Sequence, residues 1–222
     1  MSRTVRAAAL GGLLTAALAL AVTFVPTPAA DAAVGHGAIG ARVAFHDAMR
    51  QLWEDQIVWT RQYIVSAATV PGDLADIGPT ADRLLANQAD IGDALRPFYG
   101  DAAGDAVTSL LRDHILTAAE LIAAAKSGDA AGVEAAARAW YVNAHDIAVA
   151  LHGLNPVHWP LADLDAMMVE HLDLTLEEAV ARLEGRYADD IAAYDKVHAG
   201  ILAMADMLSD GIIAQFPSAF AR

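Results

Sequence analysis

Apolar residues recur along this chain at three- and four-residue intervals, and period-two alternation is nowhere sustained. That spacing predicts helices and argues against strands. Six helical segments can be bounded by their punctuation. The first runs from about Ala41 to Ala68 and is stopped by Val70-Pro71-Gly72-Asp73. The second runs from about Pro79 to Phe98, with Pro79 suited to a first helical turn. Gly100 ends it and Asp101 opens the third, which runs to Lys126. Gly128 and Asp129 repeat that punctuation before a fourth helix ending near His152 and Gly153. After the longest internal connection, residues 153–160, the fifth runs from about Pro160 to Leu183. Gly185 separates it from the sixth, Tyr187 to Phe216, which Pro217 ends. Short connections favour antiparallel neighbours, so the pattern predicts an all-α, up-and-down antiparallel bundle of about six helices.

Counting 100° per residue assigns the faces. In the first helix Phe45, Met49, Leu52, Trp53, Trp59 and Tyr63 mark the apolar side, and Gln56 and Thr60 fall within it. Glu54 and Arg61 are expected opposite, in water. Gln88 sits at the centre of the second stripe and His114 at the centre of the third. Asn143 edges the fourth, while His145 and His152 face away. His171, Thr175, Glu178 and Arg182 border the fifth stripe at i, i+4, i+7 and i+11. In the sixth, Tyr187, Ile191, Tyr194, Ile201, Ala205, Leu208 and Ile212 are expected inside, with Asp190 and His198 among them.

A buried polar group without a partner costs about 1–3 kcal/mol. Inward polar residues on most helices therefore imply a shared network or a site. Gln56, Gln88, His114, His171, Glu178 and His198 are expected to converge on one interior region, with His114, His198 and a residue of the fifth-helix border in reach of a common ion or water. His114, His171, Glu178, Asp190 and His198 form the candidate metal set, and Gln56, Gln88 and Arg182 the candidate ligand contacts. Imidazole and carboxylate without thiolate suit a divalent transition metal: zinc, copper, iron or nickel. A ferritin-type two-metal centre needs Glu-x-x-His on two helices, and this chain offers only Asp195-x-x-His198. A second reading is a hydrogen-bonded core network that sets helix register and binds nothing.

Composition adds a location. Arg3 and Arg6, a long apolar run, and Ala30-Asp31-Ala32 have the layout of a secretory signal peptide. Residues 1–32 are thus read as a cleaved leader and 33–222 as one helical domain, secreted or held in the cell envelope. The 222 residues contain no cysteine, which excludes a lipoprotein anchor, a disulfide framework and thiolate metal ligands. Loss of Arg3, Arg6 and Asp31 changes the net charge from −14 to −15 with histidine neutral. That charge disfavours nucleic acid and anionic lipid as partners. No partner is indicated, and a homo-oligomer stays open. No phosphate loop, nucleophile elbow, His-Glu-x-x-His or calcium loop occurs, so an enzyme is the least supported class.

The segments LWEDQIVWTRQYIV (52–65), NQADIGDALRPFYGDAAG (87–104), WYVNAHDIAVAL (140–151) and EHLDLTLEEAVARLEGRYADDIAAYDKVH (170–198) resemble a family of small exported bacterial helical proteins. The resemblance covers most of residues 45–220. It implies an extracytoplasmic helical protein and carries no reaction. In that family the position of Gln56 is often histidine, which supports a polar interior facing residue 56 and puts a metal-ligand role for this glutamine in doubt.

Overall fold

The computed structural model describes residues 29–69 and 72–221, with side chains from Gly37 onward. Six helices follow one another: α1 Ala29–Ala67, α2 Ile77–Tyr99, α3 Asp101–Ser127, α4 Ala130–Leu154, α5 Leu161–Leu183 and α6 Tyr187–Gln215. A 3-10 turn, Pro217–Phe220, follows α6. No strand occurs among the described residues. Most of the expected leader lies outside them; its last four positions, Ala29–Ala32, belong to the start of α1. The Val70-Pro71 stop also lies outside them.

The boundaries follow local chemistry. Gly100 and Gly128 both adopt positive φ, a conformation that costs glycine little, and each ends a helix within one residue. Asp129 accepts a hydrogen bond from the Gly132 N–H and caps α4. The α4–α5 connection is held by Asn155, whose Nδ2 donates to Gly211 O and whose Oδ1 accepts from His158 N. Trp159 is fully buried beside it and donates from Nε1 to Met207 O.

Each helix packs on its neighbours in sequence, and α6 closes the ring against α1. Across the ring α1 also touches α3 and α5. His114 of α3 and His171 of α5 meet across the ring, their ring centroids 6.2 Å apart. One end of the bundle is aromatic. Phe45 packs on Phe98 and Phe220, and Tyr99 on Trp159 and Phe216, with ring centroids 5.2–5.8 Å apart. Phe220, from the final turn, plugs this end and is 5% exposed.

Two face assignments are corrected. Arg61 is not in bulk water: Ile57 and Ile64, at i−4 and i+3 from it, are buried, so Arg61 borders the core side of α1. In α6, Tyr187 and Ile191 are exposed, and the inward stripe at that end is Asp190, Ala193 and Val197. The first turns of α6 are rotated so that the Asp190 carboxylate, rather than two apolar side chains, meets α1. Tyr187 instead lies under the Arg182 guanidinium on the outside, 4.9 Å from ring centroid to Cζ.

Candidate functional site

Between α1, α3 and α5 lies a cavity of about 40 Å³. A single water needs roughly 10–15 Å³ on this measure, so the space has room for about three waters. α1 contributes Gln56, Thr60, Tyr63 and Ile64. α3 contributes His114, Ala118, Leu121, Ile122 and Ala125. α5 contributes His171, Thr175, Ala179, Val180 and Leu183. Leu84 of α2 and Trp140 of α4 complete the wall. Alanines at 118, 119, 125 and 179 leave space that larger side chains would fill.

Gln56, His114, Trp140 and His171 bring polar groups to this wall, and Tyr63 adds a phenol about two turns along α1 from Gln56. His114 is 3% exposed, and its ring lies 5.3 Å from Trp140 and 6.2 Å from His171 between centroids. Its Nδ1 is 2.9 Å from Asn143 Oδ1. Asn143 Nδ2 donates to Leu110 O at 3.0 Å, which leaves Oδ1 as the acceptor. His114 Nδ1 therefore carries the proton. Burial, with the neighbouring His171, lowers the His114 pKa to about 3 against the pull of Asn143, so the imidazole is neutral. Its Nε2 is then a bare acceptor. Burial also lowers His171, to about 4.

His114 Nε2, His171 Nδ1, Gln56 Oε1 and Trp140 Nε1 are all buried and have no hydrogen-bond partner among the described residues. The two threonines turn their protons away from the space. Thr60 Oγ1 donates to Gln56 O at 2.8 Å, and Thr175 Oγ1 to His171 O at 2.7 Å. Gln56 Nε2 reaches only Thr60 Oγ1, at 3.4 Å.

The remaining candidates lie in other places. Gln88 is fully buried on α2, where Nε2 donates to Leu84 O and to Asn87 Oδ1; it lies outside the cavity wall. Glu178 and Asp190 belong to an ionic cluster facing α1. Arg61 Nη1 donates to Glu178 Oε1 at 2.8 Å, Arg61 also pairs with Asp190 through Nη1, and its Nη2 reaches Asp190 Oδ2 at 3.1 Å. Arg182 Nη1 adds a contact to Asp190 Oδ2 at 3.3 Å. Two guanidinium groups face two carboxyl groups, so the cluster balances in charge when both acids are ionised. Burial pushes Glu178 up to about 7, against the pull of Arg61. Burial also works against the Arg61 charge, but hydrogen bonds to Asp190 and Glu178 outweigh it and hold its pKa above the ordinary value. His198 is half-buried and lies 2.8 Å from Glu54 through Nε2.

The expected single convergence is thus divided into separate groups. The five candidate metal ligands form a His114–His171 pair, a Glu178–Asp190 pair neutralised by arginine, and an isolated His198–Glu54 pair. Among the described residues no group of three His, Asp or Glu is placed to hold one metal ion. The physical reason is competition: Arg61, expected in solvent, takes both acids, and α6 presents His198 toward Glu54 on the outer side of α1. Face counting also passed over Asn87, fully buried with its Nδ2 on Leu52 O, and the part Asn143 plays in orienting His114. Asparagine at a stripe edge was the available signal for the second.

Comparison of the chain with family models, curated proteins and solved structures finds no match.

Proposed function

We propose that this is an exported binding protein of the cell envelope that holds a small molecule inside its helical bundle, against Gln56, His114, Trp140 and His171. The observation that carries the reading is the set of four buried, unpartnered polar atoms on residues lining one partly open cavity. Leaving such groups unpaired destabilises a fold by about 1–3 kcal/mol each. Four of the seven such atoms among the described residues gather at this alanine-walled space, and the others, on Trp53, Gln88 and Thr108, lie outside its wall; that grouping favours a site over a packing defect. Export rests on the leader-like first 32 residues and the strongly acidic remainder.

A metal ion at His114 and His171 would have two imidazoles and no carboxylate, fewer protein ligands than the three or four usual for zinc. The register-setting reading fits the Arg61–Glu178–Asp190–Arg182 cluster instead, because its members satisfy one another.

Native mass spectrometry of the exported protein, together with elemental analysis, tests the proposal. A low-mass organic adduct that is released on denaturation, and is missing from an Ala118→Leu variant that keeps its helical circular dichroism, is the expected result. A protein with no adduct, whose melting temperature is unmoved by every member of a small-molecule library, overturns it. Bound zinc, copper, iron or nickel that is lost with His114→Phe would replace the organic ligand with a metal.

A further inference from the structure

The unpartnered atoms of the cavity come from four different helices: Gln56 Oε1 from α1, His114 Nε2 from α3, Trp140 Nε1 from α4 and His171 Nδ1 from α5. The three rings are neighbours, with His114 5.3 Å from Trp140 and 6.2 Å from His171 between centroids. Even so, no hydrogen bond joins any two of these atoms.

Their roles are mixed. Asn143 holds the His114 proton on Nδ1, so Nε2 can only accept. Thr60 donates its proton to Gln56 O and leaves Oγ1 to accept from Gln56 Nε2, which fixes the amide with Oε1 as the free acceptor. Trp140 Nε1 can only donate. His171 Nδ1 has no partner to fix its tautomer, so it takes whichever role its neighbours leave. An occupant of the space therefore has to supply protons at more than one place and accept at another. The wall contains no Lys, Arg, Asp or Glu, so a charged occupant would be buried unpaired. Water meets each of these demands. It donates twice, accepts twice and is neutral, and several waters bridge atoms that do not surround a common point. The volume of about 40 Å³ sets their number at about three.

The alanines and leucines of the wall pull the other way, because a cavity lined only by hydrocarbon stays dry. The buried polar atoms decide the balance: leaving one unpaired costs more than immobilising the water that pairs it. We infer that the cavity is a water site, in which about three internal waters connect Gln56, His114, Trp140 and His171 and so tie α1, α3, α4 and α5 together. This goes beyond the proposed binding role and describes the cavity before a ligand enters. A ligand that takes the site replaces these waters, is held to their volume, and has to bring donors as well as an acceptor.

Oxygen-17 relaxation dispersion of the exported protein counts its long-lived internal waters. Ala118→Leu, which fills the cavity, is expected to remove about three of them. In the wild type the Trp140 indole N–H should show a cross-peak to long-lived water. Xenon should leave the Ile64 and Leu121 methyl resonances unmoved, since both residues line the cavity and a hydrated polar space refuses it. A dispersion unchanged by Ala118→Leu, with no water cross-peak at Trp140, overturns the inference. So does xenon bound against Ile64 and Leu121, which would mark a dry cavity. The cross-peak and the xenon measurement need no variant. Water at Trp140 with no response to any member of a small-molecule library keeps this inference and removes the binding role. An organic adduct touching the Trp140 N–H in place of water does the reverse.

Discussion

The two ends of the bundle are made from different materials. At one end Phe45, Phe98, Tyr99, Trp159, Phe216 and Phe220 interlock, and a Cβ added to Gly211 would collide with the Trp159 indole. At the other, alanines at 118, 119, 125 and 179 face Gln56, His114 and His171 across open space. Helices of similar length enclose both ends, so the contrast comes from side-chain volume and hydrogen-bonding capacity. Aromatic rings close the first end and give it rigidity. Small apolar residues beside unsatisfied polar atoms keep room in the second. On the proposed reading, the packed end positions the helices and the alanine-walled end takes the ligand.

The contrast can be broken first at its packed end. Trp159→Ala removes a fully buried indole. It should cost about 4 kcal/mol in urea unfolding, the range for large aromatic deletions. A loss below about 1 kcal/mol would show that this end is not the tightly packed one. Next comes the ionic cluster on the cavity side. Asp190→Ala leaves Arg61 and Arg182 without the carboxylate that joins them. Breaking a buried pair costs about 3–5 kcal/mol, and the partial exposure of both arginines places this change near 3. An unchanged unfolding midpoint would remove the cluster from any structural role.

Acidification should act on the cavity through its two histidines. The folded pKa values of His114 and His171, about 3 and 4, lie below the ordinary 6.5. Between those values the unfolded chain binds protons that the folded chain refuses. Stability contributed by the neutral imidazoles is therefore complete above pH 6.5 and is lost as pH falls toward 3. Glu178 acts in the opposite sense: its folded value of about 7 exceeds 4.5, so its contribution is lost as pH rises from 4.5 through 7. His114→Phe should recover roughly 3 kcal/mol of the stability otherwise lost on going from pH 7 to pH 4, read as a flatter pH profile of the urea midpoint. A mutant profile parallel to the wild type would mean that His114 titrates normally.

The smallest test adds carbon to both ends. Gly211→Ala forces a methyl group into the Trp159 ring and should destabilise by about 1–3 kcal/mol. Ala118→Val fills cavity space and should stabilise by about 0.5–1 kcal/mol. Thermal unfolding of the pair checks the signs. Destabilisation by both would mean that the alanine-walled end is packed as tightly as the aromatic one.

Much of the scaffold was legible from the residues. Glycine and proline punctuation marked every helix junction, because positive φ and a missing N–H act locally and need no partner. α1 begins earlier than expected, since the Gly-rich lead, residues 33–41, is helical as well. Inward placement of Gln56, Gln88 and His114 also followed from spacing alone, and all three are buried. Their grouping did not. Spacing places a Cβ on a face, but it does not say how far a long side chain reaches or which neighbour helix is rotated to meet it. Arg61 shows the first limit: from the border of its stripe it extends to two acids on α5 and α6. His198 shows the second, since it ends on Glu54 and away from the cavity.

By itself, then, the order of residues determined helix number, junctions and most inward positions, because those depend on backbone conformation and on burial averaged along one element. Only the tertiary arrangement decided which polar groups satisfy one another and which do not. Arg61 draws Glu178 and Asp190 into a balanced cluster, and Asn143 fixes the His114 proton. His114 Nε2, His171 Nδ1 and Gln56 Oε1 are left beside a common space. Hydrogen bonds and ion pairs operate over a few ångströms between residues as many as 156 apart in the chain. Their pairing is settled by the rotation and height of packed helices, which no single helix encodes.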